Sequence, residues 1–239
     1  RKLLIALVLG MGTATAWAGE TEERPLYKDS LAPIESRVED LLRRMTLHEK
    51  TLQLQNKPVG RIDEIESIFQ GQSYGCTHEM GKTAEECAGI YNELQKYMLT
   101  KTRLGIPILT AVEGIQGILQ NNSTLFPHSI AQGSTFNPEL IERMTDAAGK
   151  EAAAMGIHQV LSPVFDIARE LRWGRVEETY GEDPFLISEM GIGFVKGYQK
   201  HQITCKPKHF VAHGTPAGGL NCAFVSGGER EFRSIYLYP

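Results

Sequence analysis

The chain has 239 residues and a mass of 26.6 kDa, with 25 basic and 29 acidic residues, 41% hydrophobic residues and 23% charged residues. This balance is typical of a globular protein and excludes disordered and collagen-like chains. The net charge of −4 gives no general field that attracts nucleic acid, so we expect no nucleic-acid partner. The length allows one large or two small domains, at roughly 100–200 residues per domain.

The first 18 residues have the pattern of a secretory signal peptide. Two basic residues precede an apolar run over residues 3–9, and a small-residue stretch ends at Ala18. The apolar run is too short for a membrane-spanning helix, which needs about 20 apolar residues. Because the first residue is not Met, we interpret residues 1–18 as an N-terminally truncated signal peptide and residues 19–35 as a leader. The sequence predicts a secreted or periplasmic protein without a membrane span in its mature chain.

Four cysteines follow, at positions 76, 87, 205 and 222. In an exported protein, Cys76, Cys87, Cys205 and Cys222 can form one or two disulfides or remain buried free thiols, and the sequence leaves the pairing open. Their spacings match no zinc-binding pattern, so we expect no metal at these residues.

Helical patterns begin at residue 36. Residues 36–55 predict two short helices, the second of which begins at the capping box Thr46-Leu47-His48-Glu49. A second capping box, Thr83-Ala84-Glu85-Glu86, begins a longer helix. One stripe of that helix is apolar and consists of Cys87, Tyr91, Leu94 and Met98.

Strand and helix patterns alternate from residue 106 onward. The predicted strands cover residues 106–112, 158–167 and 204–211, with a weaker candidate over residues 126–132. Helices begin at Asn137-Pro138 and at Asp183-Pro184, where an acceptor side chain precedes a first-turn proline. The alternation predicts a parallel sheet with crossover helices, either doubly wound or a barrel.

Polar side chains at the strand ends distinguish the two architectures. Glu113 follows the first predicted strand, Arg175 lies beyond the third, and Lys208 and His209 lie in the fourth. Several strand ends that converge on one polar site are typical of the eight-stranded β/α barrel, which takes about 250 residues. Because about four strands are recognisable, we predict an α/β fold that is the N-terminal part of a TIM-type (β/α)8 barrel. Its domain covers residues 36–239, begins with short helices and is truncated at the C-terminus.

The same polar residues suggest a ligand rich in hydroxyl groups. A carboxylate beside fixed cations can make several charge-assisted hydrogen bonds, as a sugar requires. Each residue also has a purely structural explanation: Glu113 can cap a turn, Arg175 can pair with Glu177 or Glu178, and Lys208 can be a solvated strand end. Trp173, just before Gly174 and Arg175, is either an aromatic sugar platform or part of a packed loop.

Two other patterns argue against a metal or a nucleotide cofactor. His209 and His213 are four residues apart but lie on or just beyond a strand, and the H-E-x-x-H pattern is absent. Gly191, Gly193 and Gly197 lie inside a helical pattern and do not form G-x-G-x-x-G. We therefore interpret these glycines as sites of close helix packing and expect no cofactor and no metal.

Five motifs follow one another from about Ser36 to the end of the chain. They are Phe126-Pro127, Asn137-Pro138-Glu139-Leu140, Arg172-Trp173-Gly174-Arg175 with the run from Glu178 to Pro184, Lys208-His209-Phe210, and Gly227-Gly228-Glu229-Arg230-Glu231. Together they resemble the N-terminal barrel domain of glycoside hydrolase family 3. The resemblance implies a retaining, exo-acting O-glycosyl hydrolase that removes terminal β-D-glycosyl residues from a β-linked oligosaccharide or glycoside. A β-glucosidase or a β-xylosidase is expected.

The resemblance also implies roles for particular residues. By motif, Glu113, Arg175, Lys208 and His209 hold the hydroxyls of the terminal sugar. The family's Asp-Ser-His element is absent, which argues against a β-N-acetylglucosaminidase. Gln116 stands where the family often has His, and Glu170-Leu171 stand where it often has Asp-Pro.

Both catalytic carboxylates of the family are missing from the sequence. A retaining mechanism needs two carboxyl groups about 5–5.5 Å apart. The family's nucleophile is an Asp in a Ser-Asp-Trp motif, but Trp17 and Trp173 are the two tryptophans here and neither follows Asp. We expect the nucleophile Asp and the acid/base Glu beyond Pro239, and predict that this chain alone is inactive. The alternative is a complete, non-catalytic sugar-binding protein, and the oligomeric state is left open.

Overall fold

The computed structural model describes residues 25–239, which divide into two compact units at the boundary between Met45 and Thr46. The described part of the first unit contains a 3-10 turn and the helix α1 (Ile34–Arg44). The carboxylate of Asp40 accepts hydrogen bonds from the backbone N–H of Tyr27 at 3.0 Å and from Arg44 Nε at 3.0 Å. The signal peptide predicted over residues 1–18 lies outside the described residues.

The second unit alternates short strands with helices. Its elements are α2 (Leu47–Gln53), α3 (Ile65–Phe69), β1 (Cys76–His78), α4 (Ala84–Lys101), β2 (Leu109–Val112), α5 (Ser129–Gly133), α6 (Pro138–Ala154), β3 (Gln159–Val160), α7 (Pro184–Gln199), β4 (Thr204–Cys205) and α8 (Glu229–Glu231). A 3-10 turn covers Val176–Glu178. No helix within residues 25–239 is long and apolar enough to cross a membrane.

The four strands form one parallel sheet in the order β1-β2-β3-β4. Each strand therefore pairs with its successor in the chain, and a helix lies in every connection. A doubly wound sheet reverses its strand order, whereas a β/α barrel adds strands consecutively. An isolated pair between Val164 and Lys208 continues the β3–β4 pairing beyond the two strands. The predicted partial TIM-type barrel is confirmed.

Local capping explains where the helices begin. In both capping boxes the threonine hydroxyl accepts from the N3 backbone and the glutamate accepts from the threonine backbone, at Thr46 with Glu49 and at Thr83 with Glu86. The side chain of Asp183 accepts hydrogen bonds from two backbone N–H groups in the first turn of α7. Since each cap satisfies donors that the helix leaves free, these starts could be predicted from sequence.

The core lies between the sheet and the helices that cover it. Val112 of β2 and Val160 of β3 are fully buried, and the apolar stripe predicted for α4 is buried as well. Phe194 and Tyr198 of α7 pack against each other, with ring centroids 5.0 Å apart. Burial of these side chains is the main source of stability, at roughly 25 cal/mol for each Å² of apolar surface.

The strands differ from the prediction in three ways, and the short helices α3 and α8 were not predicted. The candidate strand over residues 126–132 is wrong, because residues 129–133 form the helix α5, whose Gln132 side chain donates back to the carbonyl of Pro127 at 2.7 Å. Strand β1 was not predicted, because Cys-Thr-His is short and half polar and has no apolar pattern. The other three strands are two to four residues long, shorter than predicted.

All four cysteines are free thiols. The structure therefore has free thiols, of which Cys87 is buried, Cys76 and Cys205 are partly buried and Cys222 is exposed. Burial raises the pKa of Cys87 to about 11 and that of Cys205 to about 12. Both thiols are protonated at neutral pH and are poor nucleophiles.

Helices α6 and α7 pack closely because glycines line α7. A Cβ on Gly193 would collide with the carbonyl oxygen of Pro138 in α6. A Cβ on Gly197 would lie 2.5 Å from the carbonyl oxygen of Glu142 and 2.7 Å from the backbone nitrogen of Asp146. The interpretation as sites of close helix packing is confirmed for Gly193 and Gly197, whereas Gly191 packs against the ring of Phe165 in the loop after β3.

We expect Gly197→Ala to lower the free energy of unfolding by about 1–3 kcal/mol or more, because the backbone of α6 has no room for the methyl group. Gly228→Ala is the matched control, since a Cβ there meets nothing within 4 Å, and should change stability by less than about 0.5 kcal/mol. Urea unfolding of the three proteins measures both effects. Equal stability of the Gly197→Ala and Gly228→Ala variants would contradict close packing.

Candidate active site

The candidate site lies at the carboxyl-terminal edge of the parallel sheet. Glu113 directly follows β2, Arg175 lies in the loop after β3, and Lys208 and His209 lie in the segment after β4. The structure therefore brings together all four residues that the sequence predicted for the site. Active sites of β/α barrels lie at this edge, because parallel strands direct the loops that follow them to the same side.

Glu113 and Lys208 form an ion pair. Lys208 Nζ lies 2.9 Å from both Oε1 and Oε2 of Glu113, and the two side chains are 16% and 23% exposed. Backbone hydrogen bonds with Pro163 and Phe165, at 2.9 and 2.6 Å, fix the position of Lys208. The pair retains further donor and acceptor capacity on its exposed side, as binding a hydroxyl requires.

Arg175 is held from one side by Glu178. Its Nε and Nη2 atoms donate to the two carboxylate oxygens of Glu178 at 2.7 Å each, and this hydrogen bonding raises the pKa of Arg175. Its Nη1 atom remains directed at the site, 3.4 Å from His209 Nε2 and 3.5 Å from His213 Nε2. The predicted pairing with Glu178 is therefore present, and it orients the guanidinium toward the site.

The carboxylate of Asp166 is fully buried and positions His209. It accepts hydrogen bonds from His209 Nδ1 at 2.5 Å, from the His209 backbone N–H at 3.3 Å and from the Gly214 backbone N–H at 2.9 Å. Because a carboxylate accepts, the imidazole proton lies on Nδ1 and Nε2 is left as an acceptor toward Arg175 in the neutral ring.

Trp173 belongs to a packed loop. Its side chain is 2% exposed, its Nε1 donates to Asn221 Oδ1 at 3.0 Å, and its ring meets the His213 ring edge to face with centroids 5.4 Å apart. The alternative of an open aromatic sugar platform is therefore wrong.

The pKa of His213 is lowered by its surroundings. Burial lowers it first, and the neighbouring charge of His209 lowers it further; the centroids of the two rings are 4.3 Å apart.

Asp166 and His213 also belong to this site, although sequence reasoning gave neither of them a role in it. Asp166 carries a weak signal, since it is a lone carboxylate inside the apolar run from Val164 to Ile167. His213 has no signal beyond its distance of four residues from His209. Within residues 25–239, no group of three or more His, Cys, Asp or Glu side chains is arranged to hold a metal ion.

The model of the glycosyl hydrolase family 3 N terminal domain matches residues 46–239. The chain belongs to this family. A putative β-xylosidase from Formosa agariphila is 30% identical over 100% of this chain and 34% of its own length. A periplasmic β-glucosidase from Salmonella typhimurium is 31% identical over 84% of this chain and 26% of its own length.

A solved structure agrees with this assignment. A β-glucosidase from Erythrobacter marinus superposes with a TM-score of 0.81 at 28% identity and covers 90% of this chain and 30% of its own. The family 3 chain described here thus spans about a quarter to a third of the length of these three proteins.

We expect the ring of His213 to titrate below the ordinary histidine value of about 6.5. His209→Ala should raise the pKa of His213, because it removes a neighbouring charge and opens the pocket to water. Proton NMR titration of the His213 ring measures both values. Because His213 binds a proton more readily in the unfolded chain than in the folded one, the free energy of unfolding should rise with pH up to about 6.5. This rise should be less steep in His213→Gln. A pKa of 6.5 or above in the wild-type chain would contradict the described burial.

Proposed function

We propose that this chain holds the terminal sugar in a secreted or periplasmic β-glycosidase. The enzyme would remove terminal non-reducing β-D-glycosyl residues by a retaining mechanism. The observation that carries the proposal is the juxtaposition of the Glu113–Lys208 pair with Arg175 and His209 at the carboxyl-terminal edge of the barrel strands. Membership of glycosyl hydrolase family 3 supports it.

The geometry suits a ring of hydroxyl groups. Glu113 offers acceptors and Lys208 offers donors, so the pair can bind two vicinal hydroxyls with charge-assisted hydrogen bonds. Arg175 offers the exposed side of Nη1, and His209 offers Nε2, whose orientation Asp166 fixes. Four fixed polar groups on one edge can bind a single sugar ring without first being ordered, which limits the entropic cost of binding.

The carboxylates of this site are committed to other partners. Both oxygens of Glu113 contact Lys208, both oxygens of Glu178 contact Arg175, and Asp166 is fully buried. Each of the three therefore has a structural partner, and the Ser-Asp-Trp motif that carries the family's nucleophile is absent from residues 1–239. We infer that the nucleophile and the acid/base residue are supplied from beyond Pro239, and that residues 36–239 are the first part of the barrel domain.

The names of the relatives support the choice of sugar, and the N-terminal sequence supports the cellular location. Relatives named β-glucosidase and β-xylosidase both cover most of this chain, and we propose β-glucosides as the preferred substrates with β-xylosides as the alternative. The signal-peptide pattern of residues 1–18 and a periplasmic relative support export.

Calorimetry tests sugar binding directly. We expect the chain to bind glucose or xylose, and Lys208→Met or Glu113→Gln to weaken binding at least about tenfold, because each removes charge-assisted hydrogen bonds worth about 1.5–3 kcal/mol. Lys96→Met is the matched control, since Lys96 pairs with Glu93 on the exposed surface of α4 at 3.4 Å. Equal sugar affinity of the Lys208→Met and Lys96→Met variants would contradict the proposal that sugar binds at Glu113 and Lys208.

Hydrolysis of 4-nitrophenyl β-glucoside tests the catalytic part. We expect no turnover above the uncatalysed rate by residues 1–239, because positioning without a nucleophile leaves most of the barrier in place. We expect turnover by the product of a reading frame that continues past residue 239. Turnover by the 239-residue chain that disappears in Asp166→Ala would show that Asp166 is a nucleophile and would overturn this division of labour. If the reading frame stops at residue 239 and the chain binds sugar, the alternative function, a non-catalytic sugar-binding protein, would be favoured instead.

A further inference from the structure

His213 is a polar side chain of the candidate site to which the proposed function gives no role. It lies in the turn from Ala212 to Thr215, which is closed by a hydrogen bond of 3.1 Å from the Thr215 backbone N–H to the carbonyl of Ala212. Its Nε2 atom lies 3.5 Å from Arg175 Nη1. The ring of His213 therefore borders the guanidinium that is proposed to bind sugar.

The surroundings of His213 leave its ring little freedom to move. The backbone N–H of Gly214 donates to Asp166 Oδ1 at 2.9 Å, and a Cβ on Gly214 would lie 2.8 Å from the Cβ of Asp166 and 3.2 Å from the ring of Trp173. The rings of Trp173 and His213 meet edge to face, with centroids 5.4 Å apart. Because this packing restrains both the backbone and the ring, His213 Nε2 keeps its direction toward Arg175.

The guanidinium of Arg175 is held from two directions. Glu178 accepts from its Nε and Nη2 atoms at 2.7 Å each. On the other side, Nη1 faces the Nε2 atoms of His209 and His213 at 3.4 and 3.5 Å, and its two hydrogens allow it to donate to both rings. Since arginine stays positively charged, the contact with His213 is attractive while Nε2 of His213 carries no proton.

The charges around His213 favour its neutral form. Within residues 25–239, the charged or titratable groups that act on the ring are Arg175, His209, Asp166 and Glu178. Both carboxylates are committed elsewhere, because Asp166 accepts from His209 Nδ1 and Glu178 accepts from Arg175. A proton on His213 would therefore add a positive charge beside Arg175, and neither of these two carboxylates hydrogen-bonds to the ring. Burial lowers the pKa of His213 most, and the neighbouring charge of His209 lowers it further.

We propose that His213 is a positioning residue of the sugar site, whose neutral ring holds Arg175 in the direction that binds sugar and whose protonated ring releases it. The inference rests on the proposed function, since it names the regulation of the same site. Sugar favours the arrangement in which Arg175 is fixed, which is the arrangement without the proton. By reciprocity, sugar binding displaces a proton from His213, and acid weakens sugar binding.

Calorimetric titration with glucose at pH values of about 7.5 and about 5, on either side of the ordinary histidine value, tests the proposal. We expect the glucose affinity of the wild-type chain to fall at least about fivefold in acid, which corresponds to about 1 kcal/mol. His213→Gln keeps an acceptor near Arg175 but takes up no proton, so its affinity should match the wild type at neutral pH and fall less than about twofold in acid. Equal pH dependence of the wild type and His213→Gln would overturn the role of His213.

His128→Gln is the matched control for the loss of a histidine. His128 is exposed, and its side chain makes no capping hydrogen bond to the helix α5 that it precedes. This variant should therefore keep the pH dependence of the wild type. Loss of that dependence in His128→Gln would contradict its assignment to His213.

A second variant separates the acceptor from the ring. His213→Phe keeps an aromatic ring beside Trp173 but removes the acceptor, so at neutral pH it should bind glucose about as weakly as the wild type does in acid. Circular dichroism melting at both pH values checks that each variant is folded. A folded His213→Phe variant with wild-type affinity at neutral pH would overturn the proposal.

Heteronuclear NMR of the Arg175 guanidinium without sugar distinguishes this inference from the proposed function. The guanidinium signals, assigned by their loss in Arg175→Lys, should change with acidification more in the wild type than in His213→Gln. Signals that change equally in both would overturn positioning by His213, whatever the sugar affinity. The expected difference in a chain that binds neither glucose nor xylose at either pH would instead overturn the proposed function, and with it the sugar-binding part of this inference.

Discussion

The buried carboxylate of Asp166 determines how the loops after β3 and β4 meet. A carboxylate without water is costly unless donors surround it, and here two backbone N–H groups and one imidazole supply them. These donors belong to His209 and Gly214, which are 43 and 48 residues further along the chain. By fixing the imidazole of His209, the buried carboxylate of Asp166 also sets the distance between His209 Nε2 and Arg175 Nη1.

The sheet contributes position more than packing. Its strands are two to four residues long, too short to form a large apolar face, yet their parallel order delivers Glu113, Arg175 and Lys208 to one edge. Packing comes mainly from the helices, above all from the close contact of α6 with α7 that Gly193 and Gly197 allow. The precision of the site therefore rests on the packing of the helices that surround the sheet.

Local signals explain which parts of this fold could be predicted from sequence. Capping boxes and first-turn prolines mark helix starts within a few residues, and an apolar run marks β2. Strand β1 and helix α5 escaped prediction because both are short: β1 is a three-residue strand defined by its pairing with β2, and α5 is a five-residue helix inside the run that was predicted as a strand. Glu113 and Lys208 were predictable as polar strand ends, whereas Asp166 and the burial of Trp173 depend on contacts with residues more than 40 positions away.

The balance of charge in the site agrees with the neutral sugar that we propose as its ligand. Lys208 is compensated by Glu113 and Arg175 by Glu178, while the carboxylate of Asp166 faces His209. A phosphorylated or acidic sugar would need an uncompensated cation, because desolvation of its charge is costly without one. The two neutralised ion pairs instead provide both strong donors and strong acceptors. That combination suits a polyhydroxyl compound without a net charge, which is the chemical character of a terminal glucosyl or xylosyl residue.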